Sequence, residues 1–130
     1  MTYTSPELAQ VGMTEDQARE AHGDIRVLRA PLADNDRARA ERDEDGLVKV
    51  MTTKKGVVVG AGMVGAHAGE VIQSWCLPIA RRMKIKHVAG LILPYPTLGE
   101  ANKRAAASFY VEKLFSERTK RLVRLLLRLG

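Results

Sequence analysis

The stretch Leu47-Val48-Lys49-Val50-Met51-Thr52 reads as an extended run, Thr53-Lys54-Lys55-Gly56 turns the chain, and Val57-Val58-Val59 extends it again. Two extended runs joined by a short turn make an antiparallel hairpin. A hairpin in the middle of a 130-residue chain constrains everything around it. Its second arm runs into Gly60-Ala61-Gly62-Met63-Val64-Gly65, a literal GxGxxG. After a strand and before a helix, that pattern can hold a pyrophosphate on backbone amides. Three features oppose this reading. The strand has a hairpin partner rather than opening a parallel sheet. Residues 86–94 hold no acidic side chain to take a ribose, and only 65 residues follow Gly65. A stand-alone dinucleotide-binding domain using Gly60 to Gly65 is therefore the alternative, and a backbone role for the glycines is the leading reading.

Around the hairpin, residues 3–11 suit a short edge strand with Pro6 near its start. Thr14-Glu15-Asp16-Gln17 has the spacing of a capping box, and Gly23 stands where the helix would stop. Residues 25–32 return to a strand pattern. Residues 34–45 are rich in charge and alanine, which predicts an exposed connection with one helical turn over 36–40. From Ala66 the period becomes helical, with Val71, Ile72, Trp75, Ile79 and Met83 in phase and a kink expected at Pro78. Residues 87–93 suit a short helix or a buried strand. Thr97 can cap a later helix whose stripe is Leu98, Ala101, Ala105 and Phe109, with Glu100 in reach of Lys103 or Arg104.

Composition narrows the function. A single cysteine, Cys76, excludes an internal disulfide and any cysteine-based metal site, and its apolar neighbours predict a buried structural thiol. His67 and Glu70 suit a solvated or capping role in a first helical turn. His22 and His87 lack partners at ligand spacing, so no metal site is expected. No apolar run nears the length of a membrane span and no secretory leader is visible, which implies a cytoplasmic protein. The net charge is +6, but five cations (Arg118, Lys120, Arg121, Arg124 and Arg128) lie in the last thirteen residues with no acid among them, leaving the body near neutral. With 5% aromatic residues the tail has no interleaved rings on which bases could stack, so no nucleic-acid partner is expected.

Pro94-Tyr95-Pro96-Thr97-Leu98-Gly99-Glu100 places a phenol between two prolines and a carboxylate five residues on. The chain must turn sharply there to enter a helix, which predicts a cis Tyr95-Pro96 bond with Tyr95 exposed. Together with Tyr3 to Thr14, Gly46-Leu47-Val48-Lys49-Val50, the Gly60 to Gly65 run and Ala68-Gly69-Glu70, this block resembles, in order over about residues 3 to 115, the C-terminal dimerisation domain of the pyridine nucleotide-disulfide oxidoreductases. That family includes dihydrolipoamide dehydrogenase, glutathione reductase and mercuric reductase.

The resemblance implies a homodimeric parent enzyme using FAD and NAD(P)H, of which this chain is the last third, with no cofactor expected on the chain alone. It implies that the domain presents a His-Pro pair and a following Glu to the partner subunit's flavin and cysteine pair. On that pattern Tyr95 and Glu100 stand at the catalytic positions, and Tyr95 and Pro96 aim main chain at the partner's flavin. Tyr95 replaces the histidine, and a phenol titrating near 10 is a poor base at neutral pH. A tyrosine there is similar to the mercuric-reductase branch.

The expected fold is α+β, an antiparallel sheet of four or five strands with helices packed on one side. Residues 1–115 form the dimerisation domain and residues 116–130 a basic amphipathic helix. In that tail Leu122, Leu125, Leu126 and Leu129 fall on one face and Arg121, Arg124 and Arg128 on another, suiting either packing on protein or peripheral contact with a membrane. The face bearing the Leu98 to Phe109 stripe is expected to meet the second subunit.

Overall fold

In the computed structural model, which describes residues 5–129, four strands form one antiparallel sheet: β1 (Glu7–Gly12), β2 (Ile25–Pro31), β3 (Leu47–Thr53) and β4 (Val58–Gly65), in spatial order β1-β4-β3-β2. Residues 3 and 4 of the expected first strand lie outside the described residues. The hairpin is present as read. β3 pairs with β4 from Leu47 opposite Val64 to Thr52 opposite Val58, with a register shift at Met51 and Thr52. Because successive side chains alternate faces, the register places Leu28 beside Val50 and Ala30 beside Val48 on one side of the sheet. Val48 in turn meets Met63, and Val50 meets Ala61. All six are buried in the core.

The main helical layer covers that face. α6 (Glu100–Leu114) packs on β2 and β3. Residues 68–89 supply short pieces: α3 (Ala68–Val71), a 3-10 turn Ile72–Trp75, α4 (Cys76–Ala80) and α5 (Lys86–Ala89). Residues 87–93 thus begin within α5 and continue as irregular chain. The expected stripe at Ile72 and Trp75 is buried, but the 3-10 turn changes the phase of the helix. Pro78 falls in the first turn of α4, directly after the 3-10 turn, where a missing N–H breaks no bond within α4. The same phase change corrects the reading of Cys76, whose thiol is exposed rather than buried. With Trp75 and Pro78 turned inward, Cys76 and Leu77 between them face out.

A second correction concerns α6. Ala101, Ala105 and Phe109 are buried in the domain's own core, with Leu98 packed against it. The stripe is consumed by the sheet and cannot serve as a subunit contact. Arg26 on β2 clamps the far end of this helix, with its guanidinium 4.6 Å from the Phe109 ring centre and an ion pair to Glu112. The near end is fixed by a buried polar tie. The fully buried Trp75 donates its indole N–H to Asn102 Oδ1 (2.9 Å), and Asn102 Nδ2 donates to the Val71 carbonyl (2.9 Å). Each such group left unpaired would cost about 1–3 kcal/mol.

α1 (Glu15–His22) adds cover on the opposite face of the sheet. Its capping box forms as read: Thr14 Oγ1 accepts from Gln17 N, and Thr14 N donates to Gln17 Oε1. Glu15 reaches down to Lys49 (2.5 Å) and Arg29 (3.9 Å), which are paired neighbours on that face, and to Arg19 along its own helix. The Lys49 ammonium, and then Arg19, hold the Glu15 carboxyl down to about 2 from an ordinary value of 4.5. A carboxyl with a depressed folded pKa contributes stability that is complete above the unfolded value and is lost as pH falls toward the folded one. Chemical denaturation followed from pH 5 to pH 2 should therefore show stability falling across this window. Glu15→Gln should flatten the slope, leaving the smaller contribution of Asp24, which Lys54 depresses in the same sense.

Candidate functional site

The segment between α5 and α6 leaves the body and returns within ten residues. Leu91, Ile92 and Leu93 lead out, and Ile92 is 97% exposed. Tyr95-Pro96 is a cis bond, as expected from its paired prolines. Tyr95 is 68% exposed, again as expected.

Three sets of hydrogen bonds hold this turn. Thr97 Oγ1 donates to the Pro94 carbonyl (2.9 Å), so its hydroxyl closes the turn instead of capping the helix. Glu100 performs the capping from the other side, its Oε2 accepting from Thr97 N at 3.2 Å. That engagement corrects the expected pairing with Lys103 or Arg104. Arg104 turns to Asp34 instead, donating to its carbonyl at 2.7 Å and lying 3.7 Å from its carboxylate. The third set comes from the connection after β2. Asn35, nearly fully buried, caps α2 (Asp36–Glu41) by accepting from Ala38 N and sends its Nδ2 to the Thr97 carbonyl at 3.1 Å.

This arrangement brings α2 against the turn and with it Asp36, whose Oδ2 accepts the Tyr95 hydroxyl proton at 2.7 Å. The hydrogen bond to Asp36, reinforced by the charge on that carboxylate, raises the Tyr95 pKa above its ordinary 10. At neutral pH the residue is a phenol whose proton is already directed at a carboxylate. With that proton engaged, its oxygen can accept a hydrogen bond and its ring can stack, and it is a poorer base than an unpartnered tyrosine. Asp36 and Asn35 were not singled out from the sequence. The only signal was an Asn-Asp pair at the head of a predicted helical turn, a pattern that ordinary capping explains as well.

The glycine run is not a phosphate cradle. Gly60 to Gly65 lie within β4, hydrogen-bonded between β1 and β3. The helix after it, α3, begins only at Ala68 and spans four residues. The glycines answer to crowding. A Cβ on Gly60 would fall 1.9 Å from the Met13 carbonyl oxygen, and one on Gly65, at φ +145°, would fall 2.6 Å from Leu32 Cδ1. His67, just before α3, and Glu70, within it, lie beside the groove that runs along Pro96 and Leu98. Among the described residues no group of three or more histidine, cysteine or acidic side chains is arranged to hold a metal ion.

A four-stranded antiparallel sheet, a helical layer on one face and a projecting Tyr-Pro turn before the long helix define an α+β interface domain. Residues 1–106 match the family described as the pyridine nucleotide-disulphide oxidoreductase dimerisation domain, and the chain belongs to that family. It is 40% identical over 107 residues to the dihydrolipoyl dehydrogenase of Bacillus subtilis, covering 82% of this chain and 23% of that protein. It is 38% identical over 110 residues to the mitochondrial dihydrolipoyl dehydrogenase of Sus scrofa, again covering 82% of this chain and 22% of the relative. Among solved structures it superposes on the HOCl-induced flavoprotein disulfide reductase RclA of Escherichia coli with a TM-score of 0.76 at 28% identity, over 82% of this chain and 24% of that one. On LpdA of Mycobacterium tuberculosis the TM-score is 0.75, also at 28% identity, over 82% and 23%. The chain thus spans about a quarter of the length of the relatives it matches.

Replacing Asp36 by Asn should lower the Tyr95 pKa toward 10. Ultraviolet titration with Tyr95→Phe as the reference reads that shift, and an unchanged titration would mean that the hydrogen bond to Asp36 does not hold in solution.

Proposed function

We propose that residues 1–115 pair two subunits of an FAD- and NAD(P)H-dependent oxidoreductase and complete the partner's active site through Tyr95, Pro96 and Glu100, residues 116–130 forming a separate tail. The observation that carries this reading is the projecting turn at residues 91–96. A cis Tyr-Pro bond, an exposed phenol and an almost fully bare isoleucine are held out by hydrogen bonds from Asn35 and Glu100. An apolar turn held rigidly in water is suited to insertion into a second molecule. With the α6 stripe used in the core, Leu91, Ile92 and Tyr95 are the exposed apolar groups of the turn that would form that contact.

The chemistry supports a division of labour. The exposed face of the turn suits the edge of a flat ring presented by a partner subunit. It has no cradle of backbone N–H groups for a pyrophosphate, so the flavin and nicotinamide would be held by the segments that make up the rest of a full-length family member. The flavin would supply acceptance of a hydride from NAD(P)H and passage of the two electrons to a disulfide, which becomes two thiols. This chain's part would be to exclude water with Ile92 and Pro96, to present the Tyr95 ring and its oxygen, which can accept a hydrogen bond while its proton is held by Asp36, and to keep the turn in place through Glu100. A neutral phenol rather than a base at Tyr95 suits a parent of the mercuric-reductase-like kind, acting on a disulfide or a thiol-bound metal. A second reading, favoured by the bare and basic last helix, adds peripheral contact of a cytoplasmic protein with a membrane through Arg118, Lys120, Arg121, Arg124 and Arg128.

Sedimentation velocity at tens of micromolar should show a dimer. Ile92→Asp, at a position with no packing to lose, should shift it to monomer with an unchanged far-ultraviolet spectrum; a wild-type monomer would count against the interface.

The site roles call for a graft. Residues 1–106 placed in the Bacillus subtilis relative should give a flavin-containing dimer whose dithiol turnover is depressed by roughly 100-fold or more, the usual contribution of a general base. Tyr95→His should recover much of it, and a graft indifferent to that change would remove Tyr95 from the active site.

A further inference from the structure

The last helix, α7 (Glu117–Leu129), follows a short break after α6, and none of its residues is buried. At 100° per residue, Leu125, Leu129, Leu122, Leu126, Val123 and Leu127 span an arc of roughly 200° that is interrupted by Arg118 and Thr119 of the first turn. Their exposure runs from 48% at Val123 to 78% at Leu129. The remaining arc carries Lys120, Arg124, Arg128 and Arg121, together with Glu117, the helix's one acid, which lies 3.5 Å from Lys120. Arg118 stands at the edge of the first turn, where its long stem can lie along the leucines and its charge reach the polar side.

The width of the apolar arc decides among occupants. A helix that pairs with one other helix hides a stripe of about 100°. Docking on a second copy would leave a leucine row bare and bring two sets of five cations together, each set balanced by one acid. Nucleic acid would satisfy the cations but not the leucines, and no aromatic side chain lies in the helix to stack on a base. A helix lying in the plane of a bilayer surface buries half its circumference and sets its cations among anionic headgroups. No helix among the described residues is long and apolar enough to cross a membrane. The helix also lies beyond residue 106, where the family match stops.

We propose that α7 anchors the protein in the plane of an anionic lipid bilayer, with the Leu122, Leu125, Leu126 and Leu129 face at the level of the upper acyl chains and Lys120, Arg121, Arg124 and Arg128 among the headgroups. This rests on the second reading above, that the tail reaches a membrane, and adds the lipid class and the face that enters.

The full chain is sedimented with vesicles of phosphatidylcholine alone, or with about a quarter phosphatidylglycerol, since each cation near an anionic surface contributes roughly fivefold in affinity. Binding is expected on the anionic vesicles only. It should weaken on the order of 100-fold in Arg121→Gln/Arg124→Gln/Arg128→Gln, persist when the same arginines become lysine, and be lost in Leu122→Ser/Leu126→Ser. Because α7 contributes nothing to the core, circular dichroism should show the body folded in every variant. Equal pelleting on neutral vesicles would overturn the anionic-lipid assignment while leaving membrane attachment standing, and no pelleting on either would overturn both. Vesicle binding unaffected by the serine changes would rule out insertion of the leucine face. Serine variants that instead dissociate a dimer would assign that face to a second copy.

Discussion

The hydrogen bonds made by the buried Asn102 hold the helical layer in one arrangement. The segments over residues 68–80 are four- and five-residue pieces, too short to be helical on their own. They are kept by packing and by Asn102, which accepts the Trp75 indole proton and donates to the Val71 carbonyl. Asn102 stands in the first turn of α6, so the tie also sets where that helix begins. The start of α6 sets the position of Glu100, Glu100 holds Thr97, and Thr97 closes the turn that carries Tyr95. The path from the core Trp75 to the exposed Tyr95 runs through Asn102, Glu100, Thr97 and Pro94, each joined to the next by a hydrogen bond or by neighbouring position in the chain.

The contact between Tyr95 and Asp36 changes what the turn can do. An imidazole at this position would titrate near neutrality and could take a proton from a thiol. The phenol here has its proton committed to a carboxylate that the capping of α2 brings alongside, and its ionisation is pushed further from neutrality. The turn therefore carries a neutral phenol with its proton engaged and a flat, largely exposed ring.

Asn35 links the two halves of this arrangement. One amide caps α2 through its oxygen and grips the Thr97 carbonyl through its nitrogen. The connection after β2, which composition alone describes as a charged surface loop, is in fact partly buried at Leu32, Asn35 and Ala38. It is the platform on which the projecting turn rests.

Much of the architecture was legible from local patterns. The alternation around residues 47–59, the capping box at Thr14 and the paired prolines around Tyr95 each act over a few residues, so their consequences follow from sequence alone. The hairpin partner of β4 weighs against the GxGxxG as a nucleotide loop, which sequence alone leaves as the alternative, and the strand pairing of Gly60 to Gly65 decides it. Only tertiary structure could show that the Leu98 to Phe109 stripe faces the protein's own sheet, because periodicity marks a face as apolar without naming what covers it. Only tertiary structure exposed Cys76, because a single 3-10 turn shifts the phase of every residue after it. Asp36 joined Tyr95 across 59 positions of chain for the same reason: a hydrogen bond between distant segments depends on how they pack, and no local pattern records it.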